Sequence, residues 1–160
     1  MIIIKSNANH PIEINLDTLE KANLNNMNLH RALLSKANLR GASLIKADLR
    51  SAELEGADLS YTNLTEAELM VAYACGANLM FANLIHSKLN GTDLRDANLL
   101  NADLTGADVW NANFQRAKLQ GAIMRCNRLS EANLKGAFYD DSTEWPDDFD
   151  PLERGAQKIG

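Results

Sequence analysis

An apolar residue returns at every fifth position from Leu19 to Tyr139, without an insertion or deletion anywhere in residues 17–141. Of these 25 central positions 20 hold Leu, and the exceptions are Ala74, Val109, Phe114, Met124 and Tyr139. Two residues earlier Ala fills 19 of the 25 units, departing at Asp17, Met27, Thr62, Ser87, Thr92 and Asn127. The residue between them is often Asn or Asp, as in Ala22-Asn23-Leu24 and Ala97-Asn98-Leu99. A period of five excludes an amphipathic helix: at about 3.6 residues per turn each successive apolar residue drifts about 140° around the axis, and no stripe forms. A small and a large apolar residue two apart instead share one side of an extended segment, and the remaining residues must turn the chain before the next pair. The unit is one short side of a coil wound around a core.

The run Ala37-Asn38-Leu39-Arg40-Gly41-Ala42-Ser43-Leu44, continued by Ala47-Asp48-Leu49 and Ala57-Asp58-Leu59, resembles the pentapeptide-repeat family, and the match covers about four fifths of the chain. The resemblance implies an all-β fold, a right-handed quadrilateral β-helix with four pentapeptides per coil, Leu and Ala inward and the other three positions outward. Residues 20 apart then stack at about 4.8 Å, and residues 17–141 make about six coils, or roughly 30 Å of rod. Stability in such a solenoid accrues coil by coil. Ala74, between Leu54 and Leu94 in its stack, predicts a local gap unless the backbone pinches inward.

Residues 1–16 are expected to form an N-terminal strand that covers the open bottom coil, with Pro11 blunting further pairing at that edge. Ile12 and Ile14 sit in register with the repeat, which predicts a first irregular coil from about residue 12. Residues 142–160 are expected to form a C-terminal cap and acidic tail. Trp145, Phe149 and Leu152 are the candidate lid, and Asp150-Pro151 is a good start for a short helical turn ending at Gly155. Similar Trp-Pro and Phe-Asp-Pro endings close the coil in bacterial relatives.

A content of 46% hydrophobic residues suffices for one core of this length. The net charge is −5, yet residues 17–141 carry 13 Lys/Arg against 15 Asp/Glu, while residues 142–160 carry two against five. The rod is nearly neutral and the acidity gathers in the tail. Scattered cations such as Arg40, Lys46, Arg95 and Arg128 form no basic stripe, which argues against direct nucleic-acid binding. Cys75 and Cys126 belong to opposite sides about two and a half coils apart, far beyond disulfide reach. Free thiols, together with a Met1–Leu16 segment too short in apolar character for an export signal or membrane span, predict a cytoplasmic protein.

Chemistry-bearing constellations are weak. His86 stacks between Glu66 and Gly106 and is expected to be a surface His paired with Glu. No His stands as a base beside Ser60 or Thr65, no set of metal ligands converges, and no cofactor-binding loop is present, so the chain reads as a non-enzyme with no metal and no cofactor. The Asn/Asp positions form ladders that satisfy backbone groups at the turns. Gly76, Gly91, Gly106, Gly121 and Gly136 recur every 15 residues.

Outward apolar residues break the polar rule. Tyr61, Met80, Phe81 and Leu100 fall on one side in successive coils; Met70, Val71 and Trp110 fall on the opposite side; Tyr73, Cys75 and Ile85 extend this character around the middle. Exposed apolar clusters of this type mark partner surfaces, although stacked side chains on a β-helix also cover one another. The leading expectation is a non-enzymatic protein-binding scaffold or regulator, a monomer or weak dimer, docking a protein partner through one of these two clusters. The family resemblance implies two alternatives. One is a DNA mimic that inhibits gyrase, which the neutral rod disfavours, since a mimic needs sustained negative potential. The other is a regulator of cyanobacterial cell differentiation acting through protein binding.

Overall fold

The computed structural model describes residues 2–7 and 11–160; Met1 and residues 8–10, His10 among them, lie outside the described residues. Parallel bridges join Asn23 to Ser43, Asn28 to Asp48, Leu33 to Glu53 and Asn38 to Asp58, and these four positions climb by 20 residues at a time to Asp103–Ile123. Four bridge positions per 20 residues give a four-sided coil. The first side carries Leu39, Leu59, Leu79 and Leu99, the second Leu44, Leu64, Leu84 and Leu104, the third Leu49, Leu69, Leu89 and Val109, and the fourth Leu54, Ala74, Leu94 and Phe114. No α-helix occurs among the described residues.

The hydrogen bonds of one unit explain its composition. Leu79 N–H donates up to Asn98 O (2.7 Å), Asn78 N–H donates down to Ala57 O (2.9 Å), and Phe81 N–H donates up to Leu100 O (2.9 Å). Ala82 N–H closes the corner on Leu79 O (3.0 Å). The N–H of Met80 has no backbone acceptor, and Asn78 Oδ1 takes it (3.3 Å). The same side-chain bond recurs from Asp58 to Ser60 N–H and from Asn83 to Ile85 N–H (each 3.0 Å). A short side chain with an oxygen is therefore favoured just before the Leu, which is why Asn or Asp often returns there. The second corner residue adopts positive φ, and fifteen non-glycine residues among those described do so there, Tyr61 at 59°, Val71 at 58° and Phe81 at 56° among them. Such turns favour Gly, and the chain's recurrent glycines occupy this corner; their 15-residue spacing moves each one side back per coil.

Inside, the central residues from Leu24 to Met124 and their paired Ala residues other than the half-buried Ala37 are essentially inaccessible, so core identity follows the five-residue pattern. The ladder passes unbroken through Ala74, whose N–H donates to Asp93 O (2.8 Å) while Tyr73 O accepts from Leu54 N–H (2.7 Å).

The ends depart from the repeat. Strands β1 (Ile2–Ile4) and β2 (Ile12–Ile14) form an antiparallel hairpin with Ile4 and Ile14 buried. Beyond β1, Asn7 N–H donates to Arg31 O (3.0 Å) and Lys5 O accepts from Leu33 N–H (2.8 Å), so the chain runs antiparallel along the lower edge of the fourth side. Ile12 and Ile14 thus pair with the N-terminus instead of opening an early coil. Near the top, bridges fall at Ile123, then Asn127, then Asn133: one side is a residue short and the next a residue long, recovered through the 3-10 turn Leu129–Glu131. Cys126 takes the inward place that the period assigns to Asn127, packing against the core, and Asn127 turns outward to donate to Gly106 O (2.9 Å). The final strand β4 (Gln157–Lys158) lies parallel on β3 (Phe138–Tyr139).

Candidate functional site

Because residues 20 apart stack, outward side chains form columns along the rod, and each predicted contact residue is placed by the column it joins. At the corner closing the first side, the rings of Tyr61 and Phe81 stack at 5.1 Å with 19° between their planes. They remain 49% and 46% exposed. Arg40 lays its guanidinium 4.5 Å from the Tyr61 ring and donates to the buried hydroxyl of Ser60 (3.0 Å), so the lower face of the pair is held by a cation–π contact. Above Phe81 the column continues with Asn101 and Gly121. Asn101 leans away from the ring and into the space that a Cβ at Gly121 would fill. Met80 and Leu100, half-buried in the adjacent column, flank the aromatics. These four predicted residues come together as one patch.

The opposite side is different. Met70 is half-buried and Val71 is exposed, but Asn90 and Gly91 separate them from Trp110 in the coil above. Trp110 is occupied by its own neighbour: Arg128 sits 5.6 Å over the indole while bonded to both carboxylate oxygens of Asp108. Met70, Val71 and Trp110 therefore do not form a continuous surface. Tyr73, 48% exposed, stands around the corner from Val71.

The corner between the second and third sides is polar. Lys46, Asp48, Glu66, Glu68, His86 and Lys88 line an open recess of about 560 Å³. Its charges are internally paired: Arg50 with Asp48 (2.6 Å), Lys88 with Glu68 (2.6 Å) and Lys46 with Glu66 (3.4 Å). The Arg50 guanidinium holds the Asp48 carboxyl below the usual carboxylate range, and Arg95 does the same to Asp93. His86 does not pair with Glu66; its ring packs up against Gly106, where an added Cβ would collide with Nδ1. Among the described residues no three His, Cys, Asp or Glu side chains converge as metal ligands would, and no helix is long and apolar enough to cross a membrane.

At the top, Trp145 meets Tyr139 edge-on (5.5 Å, 90°) and stacks with Phe149 (5.4 Å, 21°). Leu152 turns to solvent at 59% exposure, and the buried Pro151 and Ala156 occupy that end instead. The reason is the turn itself: Asp150 Oδ1 accepts from Leu152 N–H (2.8 Å), and Ala156 N–H bonds back to Pro151 O (3.0 Å), which points the side chain between them outward. Cys75 and Cys126 are free thiols, and burial pushes Cys126 up to about 12. Sequence reasoning missed Arg40, Arg128 and Asp140 as neighbours of these sites. The signal lies in the stacking distance, since Arg40 and Tyr61 are 21 residues apart and touch only through it.

The family model for pentapeptide repeats (8 copies) matches residues 18–50, 32–69, 77–114 and 102–138, well over half of the chain. Among solved structures, Rfr23 from the cyanobacterium Cyanothece 51142 is 26% identical, over 79% of this chain and 89% of that one, with a TM-score of 0.52. HetL, described as involved in heterocyst differentiation regulation in the cyanobacterium Nostoc sp. strain PCC 7120, is 33% identical over 77% of this chain and 58% of its own, with a TM-score of 0.36. A trypsin-treated form of QnrB1, a plasmid-mediated fluoroquinolone resistance protein, is alike in fold at 18% identity, over 92% of this chain and 86% of that one, with a TM-score of 0.53. The comparison with curated proteins found no match. Repeat, register and family model agree, and the chain belongs to the pentapeptide-repeat family, whose members fold as right-handed quadrilateral β-helices.

Proposed function

We propose that this protein is a non-enzymatic binding rod that docks a protein partner through the Tyr61, Phe81, Met80 and Leu100 patch. The observation that carries the reading is the exposed aromatic stack: two rings, nearly half accessible, held rigid on one side by Arg40 and flanked by two further apolar side chains. Rigid aromatic anchors lose little conformational freedom on binding and dominate interface energetics. The Met70, Val71 and Trp110 side is the weaker surface, because Asn90 and Gly91 interrupt it between Val71 and the exposed Trp110. A DNA-mimic role is disfavoured by the shaft, where Asp48, Glu68, Asp93, Asp96 and Asp108 are each matched by an Arg or Lys. Two free thiols suit a reducing compartment such as the cytoplasm.

The test is affinity capture from the native cell with the unaltered chain and with Phe81→Asp, which places a charge in the patch while leaving the core untouched. The partner should be retained by the first and lost by the second, with both proteins melting at the same temperature. A partner captured equally by both would reject this surface.

A further inference from the structure

The whole net charge of the molecule lies at one end. Residues 140–160 hold seven of the 21 acidic residues and two of the 16 basic ones, which leaves residues 1–139 balanced at 14 of each. This end shares a side with the aromatic patch. The column through the half-buried Met80 and Leu100 continues upward through Gln120 to Asp140, and the Phe81 column continues through Asn101 to Gly121, which the Ser142 hydroxyl approaches from the end. No bulky side chain interrupts the second column, because Gly121 has none and Asn101 lies folded against it.

Asp140 is a fixed anion. Its Oδ1 accepts from Gly121 N–H (3.2 Å), Ser142 N–H (3.0 Å), Ser142 Oγ (2.6 Å) and Thr143 Oγ1 (3.3 Å). The Ser142 hydroxyl leads in holding its carboxyl below the usual range. Oδ2 takes no hydrogen bond. Directly below, Oε1 of Gln120 is buried and also lacks a donor. Asp141 pairs with Lys158 yet keeps its side chain 82% exposed. Lys118, across the same side, marks the lateral limit of this acceptor-rich strip. A positioned carboxylate with a free oxygen, above an apolar patch, matches a guanidinium attached to an apolar segment, since arginine supplies several donors in a planar fork.

We propose that this edge binds an extended segment of a protein partner that carries an arginine and, about four residues away, a bulky apolar side chain. Resting on the patch reading of the previous section, it names the partner chemistry for that same surface. The spacing comes from the rod. Asp140 stands three coils above Met80, about 14 Å at the usual strand separation, and an extended chain covers that distance in about four residues with both side chains on one face. The bulky residue packs on Phe81, Met80 and Leu100, and the arginine reaches Asp140 Oδ2.

Panning a random displayed dodecapeptide library against the full-length chain tests the proposal. Enriched sequences should pair an arginine with an aromatic or Leu about four positions away, and a fluorescent copy of one should bind about tenfold more weakly to Asp140→Asn, as expected for one hydrogen bond to a charged group. Asp140→Asn keeps Oδ1 and so preserves the turn, while Asp147→Asn, in the exposed tail, should leave binding unchanged. Lys118→Gln should tighten binding slightly. Enriched peptides without a basic residue, equal binding to Asp140→Asn, or no enrichment at all would overturn the proposal. So would self-association lost in Phe81→Asp, which would make a second copy the occupant, or tighter binding of a single-stranded oligonucleotide than of any peptide. Cellular capture that depends on Phe81 but not on Asp140 would sink this inference alone; capture independent of both would sink the patch reading beneath it.

Discussion

Between Asn23 and Ile123 every side of the coil advances by five residues, whereas the next two sides advance by four and then six. The sequence has the same five-residue spacing in both regions, so the period does not explain the difference. What differs is the residue due to point inward. In the shaft that place is filled mostly by Ala, and the polar substitutes are small: Thr62 Oγ1 donates to Leu59 O (2.6 Å) and Thr92 Oγ1 to Leu69 O (2.8 Å), while the buried Ser87 hydroxyl has no partner among the described residues and is tolerated in register. At residue 127 the period calls for an inward Asn. Its amide carries more donors and acceptors than the narrow core supplies, and an unsatisfied buried group costs about 1–3 kcal/mol. Cys, one residue earlier, behaves as a small hydrophobe. The chain slips by one residue, buries Cys126, and sends Asn127 out to Gly106 O. At this position interior chemistry overrules spacing.

The largest effect that tests this contrast is thiol reactivity. With its thiol pushed up to about 12 from an ordinary 9.0, Cys126 should form about a thousandfold less thiolate than an unperturbed cysteine and should alkylate only on unfolding. Mass spectrometry after iodoacetamide treatment at pH 8 should find Cys75 modified first. Rapid labelling of Cys126 in the folded protein would mean that it sits outward, as the plain period places it, and that the slip is absent.

Stability separates the two regions next. Leu104→Ala, in the shaft, removes a fully buried side chain and should cost about 2–5 kcal/mol. Asn127→Ala restores the shaft pattern and removes one exposed hydrogen bond, so its effect in urea unfolding should stay within about 0.5 kcal/mol. A large loss from Asn127→Ala would show that the outward amide is essential to the upper end.

The smallest effect concerns the ion pairs along the shaft. Arg95 lowers the Asp93 carboxyl, so this pair contributes stability above the unfolded carboxylate value and loses it as pH falls through the folded one. The melting temperature should therefore drop as the solution is acidified below about pH 4, and Asp93→Asn should flatten part of that drop. Because the pair is partly solvent-exposed, the change should be modest and weaker in high salt. An identical acid profile in Asp93→Asn would assign the pair no part in stability.

Much of the fold is legible in the chain because each core position is set by its own unit. Leu24, Leu64 and Leu104 are buried for the same local reason, and the Asn or Asp before each Leu or its equivalent has one local duty. The missed features depend on contacts between distant units. The antiparallel course of residues 5–7 is chosen by the free lower edge at Arg31 and Leu33, and the outward turn of Leu152 by its bonds to Asp150 and Pro151. The patch was legible as a set of exposed apolar residues. Its division into a gathered side and a broken one was not, since it depends on which side chains the stacking of distant units sets next to one another.

The 20-residue step gives the molecule an adjustable length. Duplicating one full turn between Phe81 and Asp140 would move the acidic end outward by about 4.8 Å without rotating it relative to the rings, and deleting one would draw it in by the same amount. Two anchoring points on such a rod work as a ruler, graduated in single turns, that lineages can lengthen or shorten to fit the object being measured.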